Sequence, residues 1–104
     1  TTAGTGVLSA TCCSGGPENT YYWVSCQASL GGTFTASTCG RATWDTELDQ
    51  RSAARTQVAF CNDDSCALQS SLSSVIPAGP GLHTLTVDGC GTGAGTYTAT
   101  VTRP

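Results

Sequence analysis

Seven cysteines in 104 residues constrain this chain more than any other feature. Cytosolic thiols at that density need metal or redox chemistry to account for them. No Cys-x-x-Cys is present, and the lone His83 cannot complete a Cys/His zinc pattern. The cysteines therefore read as disulfides made in an oxidising compartment, extracellular or periplasmic. Cys12, Cys13, Cys26, Cys39, Cys61, Cys66 and Cys90 are the candidates, and the odd count leaves one over. The short loop Cys61-Asn-Asp-Asp-Ser-Cys66 predicts a Cys61–Cys66 bridge between two strand ends. Cys12 and Cys13 are adjacent, so in an extended segment they point to opposite faces. One of them then staples the core. The other is free, buried as a thiol, or bonded to a second chain.

A chain this short has one domain's worth of core and often needs covalent help. It has no Lys, four Arg and a net charge of −3, which excludes the clustered cations that phosphate binding requires. No apolar run approaches the roughly 20 residues of a membrane-spanning helix. With no Met and no charged-then-apolar leader, the sequence reads as a processed product or an excised module. The expected organisation is an N-terminal strand or arm over residues 1–11 followed by one domain over residues 12–104.

Eighteen Thr, eleven Ser and thirteen Gly favour pleated strands broken by turns over helices. Gly95 to Thr102 alternates cleanly, with Tyr97, Ala99 and Val101 on the buried side. Leu82 to Asp88 places His83, Leu85 and Val87 together. Thr20 to Cys26 holds Tyr21, Tyr22, Trp23 and Val24 and reads as buried on both faces. Gly32 to Cys39, Thr43 to Asp49, Gln57 to Cys61, Ser70 to Ile76 and Gly6 to Cys12 complete the set, and Leu48 to Arg55 reads as a loop. About eight short strands at regular spacing predict an all-β, antiparallel β-sandwich of jelly-roll type, stapled by disulfides.

The order of several motifs resembles a known family. Pro17-Glu-Asn-Thr-Tyr-Tyr-Trp23, Thr38-Cys-Gly40, Trp44-Asp-Thr-Glu-Leu48, Cys61-Asn-Asp-Asp64, Ser71-Leu72, Pro77-Ala-Gly79, Val87-Asp-Gly89 and Gly95-Thr-Tyr97 look like the bacterial pre-peptidase C-terminal domain in a cysteine-rich version. The resemblance covers roughly residues 15 to 102. It implies a jelly-roll sandwich carried by secreted bacterial proteins, not itself catalytic. Glu47 stands where that family has an apolar residue, and His83 lies where an aromatic is common.

Candidate chemistry is sparse. A Ser-His-Asp relay drawn through His83 and Asp88 competes with a packed, hydrogen-bonded His83, which shares a strand face with Leu85 and Val87. No nucleophile elbow accompanies it, so the packed reading is preferred. Asp45, Glu47 and Asp49 alternate, so all three carboxylates project from one face. Asn62, Asp63 and Asp64 sit in the Cys61–Cys66 loop. Turn chemistry accounts for that loop, and a solvated face paired with Arg41, Arg51 or Arg55 accounts for the ladder. Asp45, Asn62, Asp63 and Asp64 are the candidate ligands of a Ca²⁺ ion, since hard cations take clustered carboxylate and carbonyl oxygens. No cofactor is required.

Residues 1–11 contain no Pro and no charged side chain, so nothing in them blocks strand pairing. Val7, Leu8, Cys12 and Cys13 are the candidate self-assembly residues: the segment adds a strand to a neighbour, and a spare Cys locks the joint. The expected function is a non-catalytic extracellular module with structural or adhesive work, including a self-assembling surface-filament subunit. The alternative is an accessory domain that binds collagen-like protein or polysaccharide beside a secreted enzyme.

Overall fold

A computed structural model describes residues 12–13, 15–51 and 58–104. The described residues form seven strands: β1 (Asn19–Ser25), β2 (Gly32–Ser37), β3 (Thr46–Arg51), β4 (Val58–Asp63), β5 (Ser71–Ile76), β6 (Gly81–Gly89) and β7 (Thr100–Thr102). They form two antiparallel sheets, ordered β1-β6-β3-β4 and β5-β2-β7. The chain is therefore an all-β two-sheet sandwich. Of the five pairings only β3–β4 joins neighbours in sequence. The expected eighth strand, Gly6 to Cys12, falls almost wholly outside the described residues.

Period-two patterning explains which residues meet. Phe34 and Ala36 of β2, Leu48 of β3, Leu72 and Ile76 of β5, and Leu85 and Val87 of β6 form the core. Trp23 closes it from β1, its ring stacked on Phe34 at 4.9 Å. Among the described residues seven apolar side chains are buried, and polar groups and disulfides carry part of the cohesion beside them. One polar knot lies between the sheets. Thr38 and Thr46 share a hydroxyl hydrogen bond of 2.7 Å, and the Ser70 hydroxyl donates to the Thr46 carbonyl. The Ser70 N–H reaches both threonine hydroxyls, at 3.1 and 3.2 Å. Ser70→Ala leaves that buried carbonyl short of a donor and should lower stability by about 2 kcal/mol, read by urea unfolding. A change below a few tenths would show that the knot is re-satisfied without it.

Three expectations change here. Leu48 to Arg51 is strand rather than loop, because β3 lies between β6 and β4 and both neighbours supply ladder partners. The Thr20–Cys26 segment is not covered on both faces: β1 is an edge strand, with Tyr22 77% and Val24 73% exposed. The last strand is three residues, not eight. Tyr97 and Ala99 are only half-buried between exposed threonines, and Val101 is 43% exposed, because among the described strands β7 pairs only with β2.

The cysteines pair as Cys12–Cys61, Cys13–Cys90 and Cys39–Cys66, and Cys26 is the free, exposed thiol. The predicted Cys61–Cys66 bridge is thus not made. Cys61 projects from the outer face of β4, opposite Asp49. Past Asp64, whose φ is +62°, the chain reverses, and Cys66 bridges to Gln69 near the Cys39 turn. Both Cys12 and Cys13 are used, so neither is the spare, and Cys26 leaves the disulfide set. Three such bonds belong to an oxidising environment.

Candidate functional site

Two features of the sandwich stand out, an acidic sheet face and an open groove. The first follows from alternation along β3. Asp45, Glu47 and Asp49 project to one side, as their spacing requires. The register then sets Asp88 of β6 and Asp63 of β4 on either side of Glu47. The ladder is not solvated: Glu47, Asp49 and Asp88 are all buried.

The adjacent cysteines help cover it. Cys12 reaches β4 and Cys13 reaches the end of β6, so this short piece of chain straps across the outer face. One Glu47 carboxylate oxygen lies within 4.8 Å of both sulfurs of Cys12–Cys61. One Asp63 oxygen lies equally close to the sulfurs of Cys13–Cys90. Neither Glu47 oxygen has a hydrogen-bond partner among the described residues. Burial first, then the neighbouring charges of Asp49, Asp88 and Asp63, pushes the Glu47 carboxyl up to about 8. Burial also raises Asp88, to about 6, although the Gly89 N–H donates to it at 2.7 Å and opposes the rise. Asp49 is differently placed, held by the Arg51 guanidinium at 2.6 Å.

At the end of this face Asp45, Asp63 and Asp64 each offer an oxygen within 4.8 Å of the others. Burial raises the Asp45 and Asp63 carboxyls, and the facing carboxylates raise them further. These three are the described residues whose donor set matches a hard cation. Asn62, the fourth predicted ligand, faces elsewhere: its side-chain oxygen accepts the Ser71 N–H at 2.9 Å. Val7 and Leu8, predicted for assembly, lie outside the described residues, while Cys12 and Cys13 are occupied in the strap.

His83 is packed, as its strand face predicts. It is 2% exposed, tilted against Trp23, and hydrogen-bonded through Nε2 to the Ser25 hydroxyl at 3.1 Å. Burial lowers its pKa. Asp88 belongs to the opposite face of β6, so the relay drawn from the sequence is not assembled.

The second feature is a groove of about 440 Å³ between β1 and β7. The two sheets approach at their β4 and β5 edges, whereas β1 and β7 are edges with the groove between them. Tyr21, Trp23, Leu85, Tyr97, Ala99 and Val101 line it. The Tyr21 and Tyr97 hydroxyls meet at 2.5 Å, and Asn19 donates to Tyr97 at 3.1 Å. A second hollow shares Trp23, Val101 and Arg103 and continues past Cys26 and Leu30 to Pro104. Sequence reasoning missed this groove because it assigned the aromatic run of β1 to a doubly covered strand. The readable signal was a run with large side chains on both faces. Comparison with family models, curated proteins and solved structures returns no match.

Proposed function

We propose that the chain is a non-catalytic extracellular module with structural or adhesive work, a subunit that associates with copies of itself at a cell surface. The observation that carries this reading is the open β1/β7 side of the sandwich. There Val24, Leu30 and Val101 stand 73%, 93% and 43% exposed beside the free Cys26. Apolar surface grouped in this way is characteristic of interaction sites. The sequence resemblance to the pre-peptidase C-terminal domain points to the same class. Sedimentation of the protein across a concentration series, with and without reductant, tests it. Association that grows with concentration is expected, and a monomer under every condition would overturn the reading. Cys26 in the isolated monomer should react with a thiol reagent without denaturant, at one equivalent per chain. Zero equivalents in a monomer, or more than one, would contradict the cysteine assignment.

A second reading follows from the aromatic lining of the same groove, which suits stacking on sugar rings or on a collagen-like peptide. Glycan and collagen-peptide binding followed by Trp fluorescence addresses it.

A further inference from the structure

We infer that the β1/β7 groove is an acceptor for an extended strand, and that its occupant is residues 1–11 of a second copy of this chain. The inference rests on the self-association reading and names its contact. A groove lying between two strand edges suits an extended chain: a strand laid there gains main-chain hydrogen bonds while alternate side chains drop between the sheets. β1 pairs only with β6 among the described strands, and β7 only with β2, over three residues. The floor is apolar, with Leu85 2% exposed and Trp23 stacked on Phe34 beneath. The Tyr21–Tyr97 hydroxyl pair stands near one end, and Arg103 is exposed among the lining residues.

The segment fits this trough by composition and length. It has no Pro to interrupt a ladder and no charged side chain to bury. Leu8 has Gly6 and Ala10 at the positions two away on the same strand face, so one large apolar side chain is flanked by small ones that let the backbone sit close. Eleven extended residues span roughly 36 Å, against the roughly 20 Å of a six-residue strand.

A neighbour, rather than the same copy, is favoured by where the segment is rooted. Cys12 is tied to Cys61 on β4, the edge of the four-stranded sheet farthest from β1. The strap runs from Cys13, tied to Cys90 just after β6, to Cys12, tied to Cys61 on β4, so the arm is rooted on the side of the sheet away from its own β1 edge. Each copy therefore offers a donor at one edge and an acceptor at the other. Such a heterologous contact repeats head to tail.

Two full-length variants test this. Leu8→Asp disables the donor and leaves the groove intact; Val101→Arg blocks the groove and leaves the donor intact. Each alone should weaken association about a hundredfold, because a charge replaces a buried apolar contact on one side and fills the slot on the other. Mixing the two should restore a one-to-one complex that grows no further, since only one working donor and one working acceptor remain. A peptide of residues 1–11 should bind the Leu8→Asp protein and shift its Trp23 fluorescence. If Val101→Arg fails to fold by thermal unfolding, Ala99→Arg takes its place in the mixture. A parent that associates while both variants associate equally well would overturn the groove assignment and leave the self-association reading standing. A mixture that stays monomeric, with no peptide binding, would also overturn it. A parent monomeric under every condition would instead defeat the self-association reading.

Discussion

The protein should be more stable in weak acid than in weak base, with its thermal midpoint falling steadily from pH 5 to pH 9. Glu47 and Asp88 set the sign. Both carboxyls titrate higher in the folded chain than their ordinary values of 4.5 and 3.8, Glu47 at about 8 and Asp88 at about 6. The folded state therefore holds protons that the unfolded state has released. Stability from these groups is fully present below the unfolded values. It is lost as pH rises through about 6 for Asp88 and about 8 for Glu47. For Glu47 the difference is worth on the order of 4 kcal/mol, a large share of a small domain's stability. Asp49 and Arg51 on β3, Asp63 on β4, Asp88 on β6 and the Cys12–Cys61 sulfurs all face this carboxyl. Among the described residues Arg51 alone opposes the rise, and it is engaged by Asp49. Glu47→Gln should remove most of the fall above pH 6 and raise the midpoint at pH 9. A midpoint that climbs with pH, or a Gln variant with the parent's slope, would show that Glu47 is ionised and balanced by another charge.

Removing the disulfide above Glu47 should have an effect that depends on pH. Cys12 and Cys61 lie 49 residues apart in sequence, so opening that loop frees considerable chain entropy in the unfolded state. The Cys12→Ser, Cys61→Ser double variant should lose about 4 kcal/mol at pH 5, where Glu47 is neutral and gains far less from water than its carboxylate would. At pH 9 the loss should be smaller, because water then reaches the carboxylate and its desolvation penalty falls. Denaturant unfolding of both proteins at both pH values measures this coupling. The Cys39→Ser, Cys66→Ser pair, 27 residues apart, serves as the comparison and should show the same loss at each pH. Equal losses at both pH values for the Cys12–Cys61 pair would mean that the strap is not what keeps water off Glu47.

Much of this architecture was legible in the residues. Alternation and turn punctuation identified the strands now numbered β1 to β7, and a small apolar content with seven cysteines predicted a stapled sandwich. The shared face of Asp45, Glu47 and Asp49 followed from a period of two, as did the packed His83. These are local properties, set by where side chains point along one extended segment.

What the sequence left open depended on neighbours in space. Glu47 reads as solvated on a strand alone; a sheet partner on each side and a disulfide above make it buried and proton-holding. Asp45, Asn62, Asp63 and Asp64 read as one candidate cation set, yet only Asp45, just before β3, closes on Asp63 and Asp64, while Asn62 turns to the Ser71 N–H. The Tyr21–Val24 run reads as interior until the strand order makes β1 an edge. The disulfide map was decided the same way. Cys61 and Cys66 are near in sequence but face apart, whereas Cys13 and Cys90, 77 residues apart, meet where Gly15 bridges to Cys90. Side-chain direction is a property of the strand, but partnership belongs to the sheet order, which pairs strands distant in sequence.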